Sequence, residues 1–184
     1  MTTPIARSVP AGFVEGKRDP VRVRAIRPTD ALKLERFYAT LSPESRRTRF
    51  FSIGSALSQG QAVSFCTTDH DHREGFVAVV DGGRKGQERI VGHLCVEPDG
   101  AHTAEVAIAV ADAFQHRGIG RRLMAAGVFW ARREQIARFT ATMLVGNAPI
   151  HRLLVGLGAP TRLRYVGGGV AEITIELVGQ SVAA

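Results

Sequence analysis

Gln115-His116-Arg117-Gly118-Ile119-Gly120 decides the reading of this chain, because of what stands on either side of it. Before it runs Thr103–Val110, whose small and β-branched residues suit a central strand. After it, Ile119, Leu123, Ala126 and Trp130 recur at i, i+4, i+7 and i+11, the stripe of an amphipathic helix, with Arg121, Arg122, Arg132 and Arg133 on other faces. Glycines between a strand and a helix let the backbone approach a ligand. The unpaired N–H groups of the first helical turn, with the positive end of the helix dipole, attract a pyrophosphate. Arg117, Arg121 and Arg122 add positive charge nearby. A lone G-x-G also occurs in loops that bind nothing. A dinucleotide fold is disfavoured, since no third glycine completes G-x-G-x-x-G and the motif comes late rather than in a first βαβ unit.

Outward from the turn, strands and helices alternate. Phe139–Val145 reads as a strand, Ala148–Leu157 as a helix closed by Gly158, and Val170–Val178 as a final strand whose Ile173, Ile175 and Leu177 could pair across a dimer. Toward the front, Val21-Arg22-Val23-Arg24-Ala25-Ile26 has the period-two pattern of a half-buried strand, ended by Pro28. Thr29 or Asp30 caps a helix over Ala31–Thr40 with Leu32, Phe37 and Leu41 as its buried stripe. Ser42-Pro43-Glu44 starts a second helix that continues through Ser45–Ser52, and a third spans Gln59–Cys66. Gly75–Asp81 and Arg89–Glu97 form a hairpin across Gly82-Gly83, and Pro98-Asp99-Gly100 turns the chain into Thr103–Val110. The class is mixed α/β (α+β) around one sheet, as one domain over residues 21–178 with tails at 1–20 and 179–184.

With 45% hydrophobic and 22% charged residues over 184 positions, a disordered chain is ruled out. No apolar run approaches the ~18 residues of a membrane helix, and the first twenty residues lack the apolar core of a secretory signal, so the expected compartment is the cytoplasm with no membrane contact. Twenty-four Lys+Arg against 17 Asp+Glu leave a net charge of +7, which favours an acidic partner. Only that charge speaks for nucleic acid, because no window interleaves basic and aromatic residues. Cys66 and Cys95 read as buried thiols rather than a bridge. Asp69-His70-Asp71-His72 has the residue types of a metal site, but neighbours on an extended chain face opposite ways, so no metal is expected. His93, His102 and His151 stand singly, and Arg46, Arg47 and Arg49 beside Phe50-Phe51 read as a solvated helix face or a receiver of acidic groups.

Strand, Gln115-His116-Arg117-Gly118-Ile119-Gly120 and amphipathic helix together resemble the acetyl-CoA-binding motif of the GNAT N-acetyltransferases, R/Q-x-x-G-x-G/A. Asn147 with Leu153-Leu154 and Leu157-Gly158 is similar to that superfamily's later Asn-helix-Leu-Gly block. Ile26-Arg27-Pro28-Thr29-Asp30, Leu41-Ser42-Pro43-Glu44-Ser45-Arg46 and Arg49-Phe50-Phe51 resemble more narrowly the GNAT domain of bacterial Pat-type protein lysine acetyltransferases. The resemblance implies a central, mostly antiparallel mixed sheet flanked by helices, and direct transfer of acetyl from acetyl-CoA to an amine in a ternary complex. Backbone groups of Ile108, Ala109 and Val110 would hold the pantetheine arm, amides of Gln115, His116, Arg117, Gly118, Ile119, Gly120 and Arg121 the pyrophosphate, and Asn147 would lie near the thiol end. The acceptor would be a protein lysine, with a small-molecule amine as the alternative, and the chain a monomer or homodimer.

A lysine with the ordinary pKa of about 10.4 is protonated at neutral pH, so a base must take a proton before its nitrogen attacks a thioester. Glu105, between Ala104 and Val106 on the strand before the turn, is the candidate, its pKa expected to rise by partial burial. In the Pat type, the matching glutamate is the proposed base. Many GNAT enzymes place a tyrosine seven residues after the asparagine as general acid, and here that position is Leu154, with Tyr165 and His116 as substitutes. Leu154 keeps a third reading open, a non-catalytic acyl-CoA-sensing module.

Overall fold

The computed structural model describes residues 21–51, 57–69, 73–82 and 87–177, so both expected tails, Gly83 of the hairpin turn, and His70, Asp71 and His72 lie outside the described residues. The elements in chain order are β1 (Arg22–Ala25), α1 (Ala31–Ala39), α2 (Pro43–Phe50), α3 (Gln59–Cys66), β2 (Glu74–Asp81), β3 (Glu88–Pro98), β4 (Thr103–Val110), α4 (Ile119–Arg133), β5 (Arg138–Leu144), α5 (Ala148–Val155), β6 (Thr161–Gly167) and β7 (Val170–Glu176). The strands form one sheet in the order β1-β2-β3-β4-β5-β7-β6. Every neighbouring pair is antiparallel except β4 with β5.

Helices cover both faces. On one, Ile119, Leu123, Ala126 and Trp130 of α4 are buried with Leu94, Ala104, Val106, Phe139, Ile173 and Ile175. On the other, Leu34, Phe37 and Tyr38 of α1 pack with Ala62 and Cys66 of α3 against Val77, Val79 and Ile90. Strand β4 serves both layers by alternation: Ala104 and Val106 enter the first, while Glu105 points the opposite way.

Four expectations are corrected. Leu32 is 58% exposed, and Leu34 and Tyr38 take the buried stripe of α1 with Phe37 and Leu41. The reason lies at the helix start, where Asp30 does not cap by its side chain but is buried in a bidentate pair with Arg24, at 2.7 and 2.9 Å, and also accepts from the Arg27 N–H. Strand β7 is no free edge: β5 and β6 pair with its two sides, and Ile173 and Ile175 are core residues, so it cannot pair across a dimer. Strand β6, for which the sequence shows no pattern, is the edge on that side and is exposed along its whole length. Arg49 is not on a solvated face; its guanidinium lies over the rings of Phe50 and Phe65, with Nη2 3.7 Å from the Cys95 Sγ.

Cys66 and Cys95 are both buried and unbridged. Beside Cys95, His93 is fully buried with its Nδ1 3.0 Å from the Tyr38 hydroxyl. Burial, aided by the positive charge of Arg49, pushes His93 from 6.5 down to about 3. The folded chain therefore keeps this ring neutral where the unfolded chain binds a proton. Its contribution to stability is complete above pH 6.5 and is lost as the pH falls toward about 3. His93→Gln should flatten that part of the stability profile, seen as a smaller fall in the urea midpoint than wild type over the same acid window.

Candidate active site

Strands β4 and β5 run together for only three residue pairs, Thr103↔Arg138, Ala104↔Phe139 and Glu105↔Thr140. Beyond them β4 stays on β3 as far as Val110 and β5 stays on β7 as far as Leu144, so the two strands part. A cleft of about 630 Å³ opens in the gap. Its walls are Ile108–Val110, the turn into α4, Leu144–Asn147 at the end of β5, and Glu44, Ser45, Arg47 and Thr48 of α2.

Most of the positions expected from the sequence meet here. Ile108, Ala109, Val110, Gln115, His116, Gly118, Ile119, Gly120, Arg121 and Asn147 all line the cleft, whereas Arg117 and Glu105 do not. Ala111 donates its N–H to the Val91 carbonyl on β3. Strand alternation then turns the peptide groups of Ala109 toward β3 and those of Ile108 and Val110 toward the cleft, so backbone contact with a ligand falls to the latter two. The Val110 carbonyl already accepts from the Gln115 side chain at 3.2 Å.

The turn into α4 is built for an anion. Gly118 is the N-cap at φ +75°, with no side chain to satisfy the helix start, and the first hydrogen bond into it comes from the Arg122 N–H. The N–H groups of Ile119, Gly120 and Arg121 therefore have no intrahelical partner. At Gly120 an added Cβ would stand 3.2 Å from Leu153 Cδ2, so glycine is what allows α5 to pack closely on the start of α4. Arg122 does not add charge here, since its guanidinium donates to the Val21 carbonyl at 2.6 Å. Arg117 lies over the Phe114 ring at 5.1 Å. Asn147 caps α5, its Oδ1 accepting from the Ile150 N–H at 3.3 Å.

Glu105 occupies the last paired position before the strands part. Its side chain is exposed rather than partly buried, because its face of β4 is left uncovered there, and Thr142 Oγ1 lies 3.5 Å from it. Leu154 is fully buried in the core, Tyr165 is 69% exposed on β6, and His116 is exposed with φ +59°. The α2 wall has no local signature in the sequence, for nothing in Glu44, Ser45, Arg47 and Thr48 says that they meet a turn some seventy residues later.

Parted strands with an open backbone edge, ending at an uncapped helix start, form a site for an extended, phosphate-bearing cosubstrate, as in an acyl-CoA-dependent transferase. The chain belongs to the acetyltransferase (GNAT) family, whose model matches residues 32–158. Over 176 residues it is 30% identical to acetyltransferase Pat of Mycolicibacterium smegmatis, a match that covers 93% of this chain and 52% of that protein, so the chain spans about half the length of this curated relative. The crystal structure of the GNAT domain of S. lividans PAT is similar at a TM-score of 0.75 and 30% identity, covering 85% of this chain and 90% of that one. The structure of yncA from Salmonella typhimurium, solved with its cofactor acetyl-CoA, shares the fold at a TM-score of 0.66 and 16% identity, covering 89% of this chain and 96% of that one.

No atom lies within 4 Å of a Cβ built on Gly118, so a substitution there meets the backbone cost alone. Gly118→Ala should lower unfolding free energy by about 1–2 kcal/mol, and Gly118→Asn by less, as measured by urea denaturation.

Proposed function

We propose that the chain transfers acetyl from acetyl-CoA to a lysine side chain of a protein, directly in a ternary complex, with Glu105 as general base, in a reducing, cytoplasmic setting that suits two unbridged cysteines. The observation that carries the reading is the position of Glu105, at the point where β4 leaves β5 and the cleft begins. The family match supports the donor, and the likeness to two Pat proteins supports a protein acceptor.

Bound acetyl-CoA supplies the activated thioester. The cleft edge of β4, through Ile108 and Val110, holds the pantetheine arm with Ala109 beside it. The amides of the turn from Gln115 to Arg121 hold the pyrophosphate, His116, Arg117, Gly118, Ile119 and Gly120 among them, and Asn147 stands toward the thiol end. Glu105 accepts the proton of the lysine ammonium. The freed nitrogen then attacks the carbonyl carbon and gives up its second proton to water, while the carbon–sulfur bond breaks and the electron pair leaves on sulfur as a thiolate. A thiolate with a pKa near 8.5 is a tolerable leaving group, so the buried Leu154 in place of a tyrosine is compatible with turnover.

Acetyl-CoA turnover, followed as free thiol over a panel of lysine-bearing proteins and small amines, tests the reading. Thiol release with a protein acceptor, reduced roughly 10²- to 10⁴-fold in Glu105→Gln while acetyl-CoA still binds, is the expected result. Turnover confined to small amines would overturn the protein acceptor. Binding without turnover on any acceptor would favour a sensing module, and full activity in Glu105→Gln would remove the base assignment.

A further inference from the structure

We propose that Asp112 is a positioning residue that sets the width of the cosubstrate cleft by tying α2 to the turn that leads into α4. The proposal rests on the acetyl-CoA reading of the cleft.

The first observation is how little else holds the cleft-side half of α2. None of the eight residues of this helix is fully buried, and a helix of two turns is not stable by itself. Its C-terminal half is pinned where Arg49 meets Cys95 and Phe65 and where the Phe50 ring packs on Tyr38. Its N-terminal half, which presents Glu44 and Ser45 to the cleft ahead of Arg47 and Thr48, has a different anchor.

That anchor is one carboxylate on the segment between β4 and the turn into α4. The Ser42 N–H donates to Asp112 Oδ2 at 3.0 Å, and the hydroxyls of Ser42 and Ser45 both donate to Oδ1 at 2.8 Å. The Gln115 amide extends the link, donating to the Ser45 hydroxyl at 3.3 Å and to the Val110 carbonyl at 3.2 Å. The Ser42 hydroxyl meanwhile accepts from the Ser45 N–H and caps the helix. Burial alone would raise the Asp112 pKa, but the hydrogen bonds from Ser42 and Ser45 outweigh it and hold the group below the usual carboxylate range, so it is ionised at neutral pH. Hydrogen bonds to an ionised acceptor are the strong kind. A single group therefore joins the helix on one side of the cleft to the strand end and turn on the other.

Neither Asp112 nor Ser42 lines the cleft. An effect of either on acetyl-CoA must therefore travel through the placement of α2, which makes the test specific. In wild type, Asp112→Ala, Ser42→Ala and the double variant, steady-state rates are measured with acetyl-CoA varied at saturating acceptor, alongside calorimetric binding of acetyl-CoA. Asp112→Ala should raise the KM for acetyl-CoA about tenfold, the equivalent of one charge-assisted hydrogen bond, and weaken binding in parallel, with kcat within about twofold. Asp112→Asn, which keeps one acceptor oxygen, should recover part of the loss, and the double variant should be no worse than Asp112→Ala. If Asp112→Ala fails to fold, Asp112→Asn and Ser42→Ala carry the same KM criterion. An unchanged KM, a fall in kcat at constant KM, or additive effects of the two substitutions would overturn the proposal. A wild type that does not bind acetyl-CoA would overturn the cosubstrate reading itself, and is distinguished because it requires no variant.

Discussion

The parting of β4 from β5 after Glu105 is the constraint on which the rest of the site depends. Backbone polar groups must be paired, with protein or with something else. While the two strands run together each satisfies the other; once they separate, β3 still serves one edge of β4, and the other edge faces an opening. The chain beyond each strand then starts a helix beside the gap, α4 after the turn from Val110 and α5 after Gly146 at φ +87°. Both helix starts line the same cleft, but they are not equivalent. Asn147 spends its side-chain oxygen on the start of α5, while Gly118 has no side chain to spend on α4. Of the two positive helix ends, only that of α4 is left open to an anionic ligand.

The two faces of the sheet divide the labour. The α4 face is a continuous apolar core, closed by Leu154 at its α5 end, and it holds the turn rigidly where the pyrophosphate would lie. The opposite face is apolar chiefly under α1 and α3, with Phe50 at the end of α2 added to it. Toward β4 it becomes polar, with His93, Cys95 and Glu105 on successive strands, and α2 crosses it without a buried residue of its own. A wall whose cleft-side end is held by polar contacts can be placed accurately and still be shifted by small changes, unlike a wall held by a buried stripe along its whole length.

Where one local pattern determined an element, the sequence was legible. The 3.6-residue recurrence of Ile119, Leu123, Ala126 and Trp130 marks the buried face of α4, and Ser42-Pro43 marks the start of α2, because in each case the physics lies within one element. Leu32 and Leu34 could not be separated that way: both are leucines, and the choice follows from Asp30 being drawn to Arg24 on another element. Strand β6 shows no burial alternation, since both its faces meet solvent and only its pairing with β7 makes it a strand. The site divides similarly. The turn from Gln115 to Gly120 carries its meaning in its own residues, whereas the α2 wall, the tie of Arg122 to Val21 and the exposure of Glu105 depend on contacts between distant parts of the chain.

The same geometry bears on how a thiolate could leave without a tyrosine at position 154. Leu154 is sealed in the core and can be no acid, and it helps hold α5 against the start of α4. Tyr165 stands on β6, which is separated from β5 by β7, and its ring is turned to solvent. His116 sits on the turn itself, at the pyrophosphate end of the proposed cosubstrate rather than its thiol end. Under the proposed reaction, the exposure of Glu105 shows that water reaches the point where the strands part, and water can there supply a proton to a sulfur whose conjugate acid has a pKa near 8.5. The leucine then costs the reaction little, and it gives the core a buried side chain where a tyrosine would require a partner for its hydroxyl.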